Sequence, residues 1–485
     1  MSDRFIKVAQ LKSVDIFRER LAELGLELPC DDEILTAADD SPMALPIIHE
    51  ELEIGNRWCI HPMEGWDANP DGTPSELTLR RWRHFGLSGA KWIWGGEAAA
   101  VQPDGRANPN QTLGTPSNAD GLRQLYDTLI EAHEMAIGEV DDLMVGLQLT
   151  HSGRYSKPNK KDQAEPRIAY HHPVLDRRVG ISPEDDSLIW TDDDLERLID
   201  NYVIAAEIAA DIGFQFVDVK CCHGYLLHEF LTAHNRPGPY GGDFEGRTKL
   251  LTTIIDRIHE QCPGLMVGVR LSLFDMIPFE SAVGGGRPID HQDLLPYPYA
   301  FGANPENPLE IDLSEPIKLI RLLYDIGVFA VNLSAGSPYY NPHIQRPAIF
   351  PPTDGYQPPE DPLVGVVRQI QTARQCKEAV PEMLMVGTGY TYLQEYLPHV
   401  AQAVIREGWI DSVGLGRMVL SYPDLPHETL TQGTMPRKKI CRTFSDCTSG
   451  PRQGLISGCF PLDPFYKEHP EAALLKERKQ QAAEA

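Results

Sequence analysis

The chain has 485 residues, with 44 Lys and Arg against 70 Asp and Glu, so its formal net charge is −26. This excess of acid disfavours a nucleic-acid binder, and 42% hydrophobic with 24% charged residues is the composition of a folded protein rather than a disordered one. The sequence shows neither the roughly 18 consecutive apolar residues of a membrane span nor the basic and apolar regions of a signal peptide, so we expect a cytoplasmic protein. Its nine cysteines are then reduced thiols or ligands rather than disulfides.

Short apolar runs rich in β-branched residues alternate with segments of helical periodicity through most of the chain. The runs predicted as strands are 57–60, 91–94, 145–149, 217–219, 267–271, 329–333, 383–386 and 412–415. The segments predicted as helices are 119–137, 193–212, 245–261, 314–327, 362–379 and 391–407. Eight strands alternating with helices predict an α/β fold of the (β/α)8 TIM barrel type.

Three long insertions each follow a predicted strand. They occupy 155–190, 275–313 and 335–361. They therefore lie at the C-terminal face of the barrel, where such folds place their active sites. The predicted organisation is an N-terminal extension (1–45), the barrel (46–430) and a C-terminal arm (431–485).

Glycines and an arginine follow the last two predicted strands. Gly387 and Gly389 end the seventh strand, and Gly416 precedes Arg417 after the eighth. Glycines let backbone N–H groups approach an anion closely, and the guanidinium adds positive charge. Tight turns alone are the alternative, but the same ending on both strands favours a phosphate site.

Several sequence blocks occur in an order that matches a known family. The longest is DIGFQFVDVKCCHGYLLHEFLTAHNRPGPYGGDFEGRTKLL, and the others are NRWCIHPME, KWIWGGEAAAVQPDGR, GLQLTHSGR, VGVRLS and SVGLGRMVL. Over roughly residues 45–425 the chain resembles the old yellow enzyme family of NADH:flavin oxidoreductases. The resemblance implies an oxidoreductase that binds FMN in its barrel and uses NADH or NADPH as reductant.

The resemblance also implies which residues bind the cofactor. They are Pro62, Met63, Glu64, Ala98, Gln148, Arg270, Gly387, Gly389, Gly416 and Arg417. Gln148 would hydrogen-bond the pyrimidine ring of the flavin, because an amide both donates and accepts. Arg270 would stabilise the negative charge of the reduced ring.

Three residues after the fourth predicted strand are implied to act on the substrate. His223 would hydrogen-bond the carbonyl oxygen of the substrate, and Tyr225 would donate a proton opposite the hydride from the flavin. Lys220 stands where the family usually has a first His. It either stabilises the same oxygen or forms a salt bridge with an acid such as Glu64 or Glu97, and the sequence leaves both open.

The loop after the sixth predicted strand contains two tyrosines and a histidine. Tyr339, Tyr340 and His343 are predicted to form a substrate rim, because this loop leaves the C-terminal face of the barrel. Packing of the loop on itself is the alternative.

Three cysteines lie in the predicted arm. Relatives that resemble dienoyl-CoA reductase and trimethylamine dehydrogenase carry a [4Fe–4S] cluster there with spacing near C-x2-C-x3-C-x11-C. Here Cys441, Cys447 and Cys459 are separated by five and eleven residues, and a [4Fe–4S] cluster normally needs four thiolates. We expect a degenerate arm from which the cluster has been lost, with a three-cysteine cluster or a zinc site as the alternative.

The favoured function is NAD(P)H-driven, FMN-dependent reduction of an activated C=C bond in a small molecule. Flavin-dependent oxidation of an amine or another atypical substrate, a lyase that uses Lys220 as a Schiff base, and a flavin-bound subunit without catalysis are the alternatives. No nucleic-acid or membrane partner is expected. A homo-oligomer, a separate electron-donor partner and the choice of NADH or NADPH stay open.

Overall fold

The computed structural model describes residues 4–484, and it contains a closed barrel of eight parallel strands. We number the barrel strands β1 (Trp58–Ile60), β2 (Trp92–Ile93), β3 (Met144–Thr150), β4 (Phe216–Val219), β5 (Met266–Ser272), β6 (Ala330–Ser334), β7 (Leu384–Gly387) and β8 (Ser412–Leu415). Strand β1 closes the barrel by pairing with both β2 and β8. The eight predicted strands and the (β/α)8 architecture are confirmed, with strand ends within one residue of those expected.

One helix follows each strand on the outside of the barrel. We number the barrel helices α1 (Glu76–Gly86), α2 (Ala119–Ala136), α3 (Asp192–Ile212), α4 (Phe244–Gln261), α5 (Ser314–Asp325), α6 (Pro362–Ala379), α7 (Leu397–Arg406) and α8 (Leu425–Gln432). In α3 the hydroxyl of Thr191 caps the N-terminus by accepting from the N–H of Asp194, and Gly213 ends the helix at φ 115°. The predicted helix 391–407 begins later, at Leu397, because a 3₁₀ segment, Tyr390–Tyr396, precedes it.

The remaining elements are short. The further helices are Val14–Glu23, Leu175–Arg178, Leu226–Phe230, Pro342–Gln345, Met418–Ser421, Asp446–Arg452, Pro464–Lys467 and Glu471–Glu484. The further strands are Ile47–His49, Leu52–Ile54, Ala98–Ala100, Phe279–Ala282, Gly285–Pro288, Ala303–Asn304 and Asn307–Ile311. None of the helices within residues 4–484 combines the length and apolarity needed to cross a membrane.

A hairpin closes the N-terminal end of the barrel. Its strands Ile47–His49 and Leu52–Ile54 pair antiparallel. Ile47 and Ile54 are buried in one apolar cluster with the rings of Trp92 and Phe329, which lie where β2 and β6 begin. The hairpin therefore fills the bottom of the barrel and leaves the C-terminal ends of the strands as the open face.

The C-terminal arm packs back onto that open face. Its Ser445 hydroxyl donates to the carbonyl of Phe350 at 2.6 Å, in the loop after β6. Its Asp463 carboxylate pairs with Arg80 of α1 at 2.8 Å. The arm thus connects the loop after β6 to the first barrel helix.

Candidate active site

A cavity of about 250 Å³ lies at the C-terminal ends of the barrel strands. It brings together thirteen of the predicted residues: Pro62, Met63, Glu64, Gln148, Lys220, His223, Tyr225, Arg270, Tyr339, Gly389, Gly416, Arg417 and Cys447. They come from six of the eight strand ends, from the loop after β6 and from the arm. The cavity is the candidate active site.

An amide and a carboxylate form a buried pair in the wall of the cavity. Gln148 at the end of β3 donates from Nε2 to Asp218 Oδ2 at 2.6 Å, and the backbone N–H of Arg270 donates to the other oxygen of Asp218 at 2.6 Å. Burial raises the pKa of Asp218 to about 6, against the effect of these hydrogen bonds. The pair fixes the orientation of Gln148 and leaves its amide oxygen and second N–H for a ligand that can donate and accept.

His223 is held as a neutral imidazole in the same wall. Its backbone N–H donates to Ser272 Oγ at 3.0 Å, and its Nε2 lies 2.7 Å from Ser334 Oγ. Burial, with the nearby positive charges of Arg270 and Lys220, holds the pKa of His223 well below its ordinary value. A neutral ring can donate one hydrogen bond without carrying a charge.

Two tyrosines meet across the cavity. The hydroxyls of Tyr225 and Tyr339 lie 3.0 Å apart, and burial raises the pKa of Tyr225 well above its ordinary value. The ring of Tyr155 stacks on that of Tyr339 with centroids 3.8 Å apart, which fixes the second tyrosine. Tyr225 is therefore a protonated phenol with a fixed partner.

Lys220 lies between an acid and a ring. Its Nζ is 3.6 Å from Glu64 Oε2 and 4.0 Å from the ring centroid of Tyr225. The other oxygen of Glu64 accepts from Trp66 Nε1 at 2.5 Å. The salt bridge left open by the sequence is thus present, and it places the ammonium beside Tyr225 at the same time.

The loops after β7 and β8 form a basic end of the cavity. Gly389 adopts φ 92°, a conformation that favours glycine, and Gly416 lies beside it in the lining. Arg417 Nη1 is buried and has no hydrogen-bond partner within the described part of the chain. Arg417 as a whole is half-buried, and its unpartnered Nη1 can donate to an anion in the cavity.

Ala98 and Gly387 do not line the cavity. Ala98 belongs to the extra strand beside β3, and its carbonyl accepts from Gln111 Nε2 at 2.8 Å. A Cβ at Gly387 would meet the hydroxyl of Tyr390 at 3.0 Å, so this glycine faces the barrel wall. The cavity lining begins one residue later, at Thr388.

Two of the three predicted rim residues point away from the cavity. The Tyr340 hydroxyl donates to Asp275, and His343 Nδ1 lies 2.7 Å from the hydroxyl of Tyr356. Both side chains are buried in the packing of the loops after β5 and β6. Of the three residues, Tyr339 alone lines the cavity, and a substrate rim formed by this loop stays a prediction.

The arm cysteines do not assemble as a ligand set. Cys447 lines the cavity, whereas Cys441 and Cys459 are buried outside its lining. Among residues 4–484, no three His, Cys, Asp or Glu side chains are grouped as a metal site requires. Burial and the nearby charges of Cys441 and Cys447 raise the pKa of Cys459, so the three thiols lie near one another, and the loss of a cluster from the arm stays a prediction.

Sequence reasoning missed part of the lining. The missed residues include Trp66, Arg80, Arg81, His84, Thr448, Arg452, Ser457 and Tyr466. Half of them lie in the arm, where the sequence pattern had indicated only the three cysteines as functional residues. Nothing in the local sequence indicates that the arm returns to the open face of the barrel.

A closed parallel barrel whose open face gathers an amide from β3, hydrogen-bond donors after β4 and an arginine after β8 fits a barrel oxidoreductase that binds a flavin. A sequence profile of the NADH:flavin oxidoreductase / NADH oxidase family matches residues 44–283. The chain belongs to this family, and it is an old yellow enzyme-type oxidoreductase.

Named relatives support this placement. An NADH:flavin oxidoreductase of Gibberella zeae is 26% identical over 349 residues, which cover 68% of this chain and 71% of the relative. An NADPH dehydrogenase of Bacillus subtilis is 28% identical over 237 residues, 47% of this chain and 63% of the relative. A putative 12-oxophytodienoate reductase 2 of Oryza sativa subsp. japonica is 29% identical over 251 residues, 49% of this chain and 61% of the relative.

Solved structures show the same fold. A 2-naphthoyl-CoA reductase in complex with 2-naphthoyl-CoA superposes with a TM-score of 0.63 at 17% identity, covering 90% of this chain and 58% of that chain. An old yellow enzyme homologue from Zymomonas mobilis gives a TM-score of 0.55 at 19% identity, covering 81% of this chain and 94% of that chain.

Proposed function

We propose that this chain binds FMN and transfers reducing equivalents from NADH or NADPH to the activated C=C bond of a small molecule. The observation that carries the proposal is the convergence, in one cavity, of Gln148, Arg270, His223 and Tyr225 with the basic end at Arg417. The names of two relatives, NADPH dehydrogenase and putative 12-oxophytodienoate reductase 2, describe redox activities of this kind.

The residues present fit the parts of FMN. Gln148 offers an acceptor and a donor to a pyrimidine ring, because Asp218 takes only one of its amide protons. Arg270 Nε is buried without a hydrogen-bond partner in the described residues, as expected of a cation that awaits a ligand. The basic end at Gly389, Gly416 and Arg417 fits a phosphate.

When bound, the flavin would supply the acceptor and donor of hydride. The neutral imidazole of His223 would donate a hydrogen bond to the carbonyl oxygen of the substrate, where negative charge develops. Tyr225 would donate its phenolic proton to the substrate carbon. Tyr339, by donating to the Tyr225 oxygen, would leave the hydrogen of Tyr225 free to point into the cavity.

The ion pair with Glu64 bears on the alternatives for Lys220. The Nζ of Lys220 lies 3.6 Å from Glu64 Oε2, so the amine would have to leave this ion pair before it could attack a carbonyl carbon. The pair therefore argues against a Schiff-base lyase and supports an electrostatic role for Lys220. We include Lys220 with His223 and Tyr225 as the catalytic set.

We propose that FMN is the only redox cofactor of the chain. Two observations support this: the arm has three cysteines where a cluster normally needs four thiolates, and no three ligating side chains within residues 4–484 are grouped as a metal site requires. Iron and sulfide assays on anaerobically purified protein test it: about four of each per chain would contradict the loss of the cluster.

An anaerobic titration tests the function. The flavin spectrum of the purified protein is recorded while NADH, NADPH and then a cyclic enone are added. We expect bleaching by at least one nicotinamide and recovery on addition of the enone. A protein that neither contains nor takes up a flavin would sink the proposal, and reduction by dithionite but not by either nicotinamide would point to a separate electron-donor partner.

A further inference from the structure

A second arginine reaches the basic end of the cavity from the loop after β6. Arg346 lines the cavity together with Arg417, and its Nη1 donates to Thr448 Oγ1 of the arm at 2.5 Å. Its Nε and Nη2 are buried and have no hydrogen-bond partner anywhere in residues 4–484. Two of its three nitrogens are therefore free to bind a ligand.

No carboxylate neutralises this pair of arginines directly. Arg452 lies close by, but its guanidinium is already paired with Asp354 at 2.5 Å. Burial and the charges of Arg452 and Arg417 lower the pKa of Arg346 to about 9. Buried cations that repel one another are costly unless an anion lies between them, so the arrangement requires a negatively charged ligand.

We propose that Arg346 is a ligand of the flavin phosphate, opposite Arg417, and that the C-terminal arm holds it there through Thr448. The inference rests on the proposed flavin site. A phosphate monoester carries between −1.5 and −2 charges near pH 7, roughly matching two guanidinium groups, and a guanidinium can donate two parallel hydrogen bonds to it. Thr448 would act as a positioning residue, because it touches Arg346 rather than the phosphate.

Binding of FMN and riboflavin to the full-length chain, freed of flavin, tests the inference. The two ligands differ only by the phosphate, and their dissociation constants follow from quenching of flavin fluorescence. We expect Arg346→Gln to weaken FMN by about 30-fold or more and to leave riboflavin within about 2-fold. Arg346→Lys should recover part of the lost affinity, since lysine restores the positive charge but not the two parallel N–H donors of a guanidinium.

Two further variants complete the test. Thr448→Val should weaken FMN less than Arg346→Gln does, again without changing riboflavin. Arg374→Gln is the matched control, because Arg374 is a half-exposed arginine on α6 that pairs with Glu378, lies over the ring of Trp409 and does not line the cavity. Inorganic phosphate should compete with FMN in the unaltered chain and lose most of this effect in Arg346→Gln.

The outcomes separate the inference from the proposed function. If the unaltered chain binds neither flavin, the proposed function fails. If it binds both and Arg346→Gln keeps the full preference for FMN, the inference is wrong while the function stands. An equal loss of FMN and riboflavin would show that Arg346 only supports the fold, and would also overturn the inference.

Discussion

Tyr225 combines burial with a hydroxyl partner, Tyr339, and a cation over its ring. Its high pKa keeps the phenol protonated, so the group is suited to giving a proton rather than to taking one. The Tyr339 hydroxyl lies 3.0 Å from that of Tyr225, so it can donate to the Tyr225 oxygen once the proton has left. The proposed proton transfer to the substrate therefore depends on the O–H bond of Tyr225.

Replacing Tyr225 by Phe should therefore slow reoxidation of the reduced flavin by an enone about 100-fold or more, since it removes the proton donor. Reduction by NAD(P)H should change little. Stopped-flow absorbance measures the two half-reactions separately. Tyr155→Phe is the matched control, because this buried tyrosine stacks on Tyr339 but does not line the cavity. Equal losses of rate in both half-reactions of the Tyr225 variant would show that Tyr225 is not the proton donor.

Lys220 and Glu64 lie next to each other, so two single substitutions can change the charge at this position in opposite directions. Glu64→Gln leaves the ammonium without its carboxylate, which should stabilise the reduced flavin and raise its midpoint potential by on the order of 30 mV, or about 1.4 kcal/mol for two electrons. Lys220→Met should lower the potential by a similar amount. Equilibrium dye titration measures both shifts, and shifts of the same sign would show that the pair does not act on the flavin electrostatically.

Several of these residues were identified from sequence because they occupy strand ends whose neighbours in the chain match a family motif. Tyr340 does not line the cavity beside Tyr339, because the chain turns at these residues and the hydroxyl of Tyr340 donates to Asp275. No pattern of apolar spacing reports such a turn. The free nitrogens of Arg346 could not be predicted from the sequence either, because they depend on the arm that packs against this residue.

At the scale of elements, the strands could be predicted because buried parallel strands form short continuous apolar runs. Helix α1 was absent from the predicted set. Its buried face includes Arg81, paired with Asp67, so a charged residue lies where an apolar one is expected. The packing of the arm could not be predicted, since its contacts join residues far apart in the chain, such as Ser445 with Phe350 (95 positions) and Asp463 with Arg80 (383 positions).

The arm itself should control how firmly the cofactor is held. Asp463 pairs with Arg80 and also caps the helix Pro464–Lys467 by accepting from the N–H of Phe465 at 3.0 Å. Asp463→Ala loses both contacts, and we expect a cost of about 1–3 kcal/mol confined to the arm.

Limited proteolysis should then cut the arm of this variant near 446–467 sooner than that of the unaltered chain, and flavin should dissociate faster. Glu378→Gln on the exposed face of α6 is the control. Unchanged proteolysis and unchanged dissociation would mean that the arm does not depend on this ion pair.

At the scale of the whole molecule, Asp218 ties the stability of the barrel to pH. Its pKa is about 6 in the folded chain, against an ordinary value of 3.8. Between pH 3.8 and about pH 6 the folded state therefore binds more protons than the unfolded state. The contribution of the protonated Asp218 to the free energy of unfolding is thus fully present below about pH 4 and is lost as the pH rises to about 6. The loss amounts to about 3 kcal/mol.

Asp218→Asn should remove this dependence while keeping an acceptor for Gln148. We expect the free energy of unfolding of the variant, relative to the unaltered chain, to rise by about 3 kcal/mol between pH 4 and pH 7. Urea unfolding at intervals of one pH unit measures the difference. A difference that stays constant over this range would show that Asp218 ionises in the fold much as it does in the unfolded chain.

The hairpin formed by Ile47–His49 and Leu52–Ile54 has a consequence for kinetics. With the bottom of the barrel filled, a reductant and an acceptor would both have to reach a flavin bound in the cavity from the open face of the barrel. Each would exclude the other, so the oxidised nicotinamide has to depart before the alkene can enter. Steady-state rates measured over both concentrations should then give parallel double-reciprocal lines, with each reactant inhibiting competitively against the other when it is in excess.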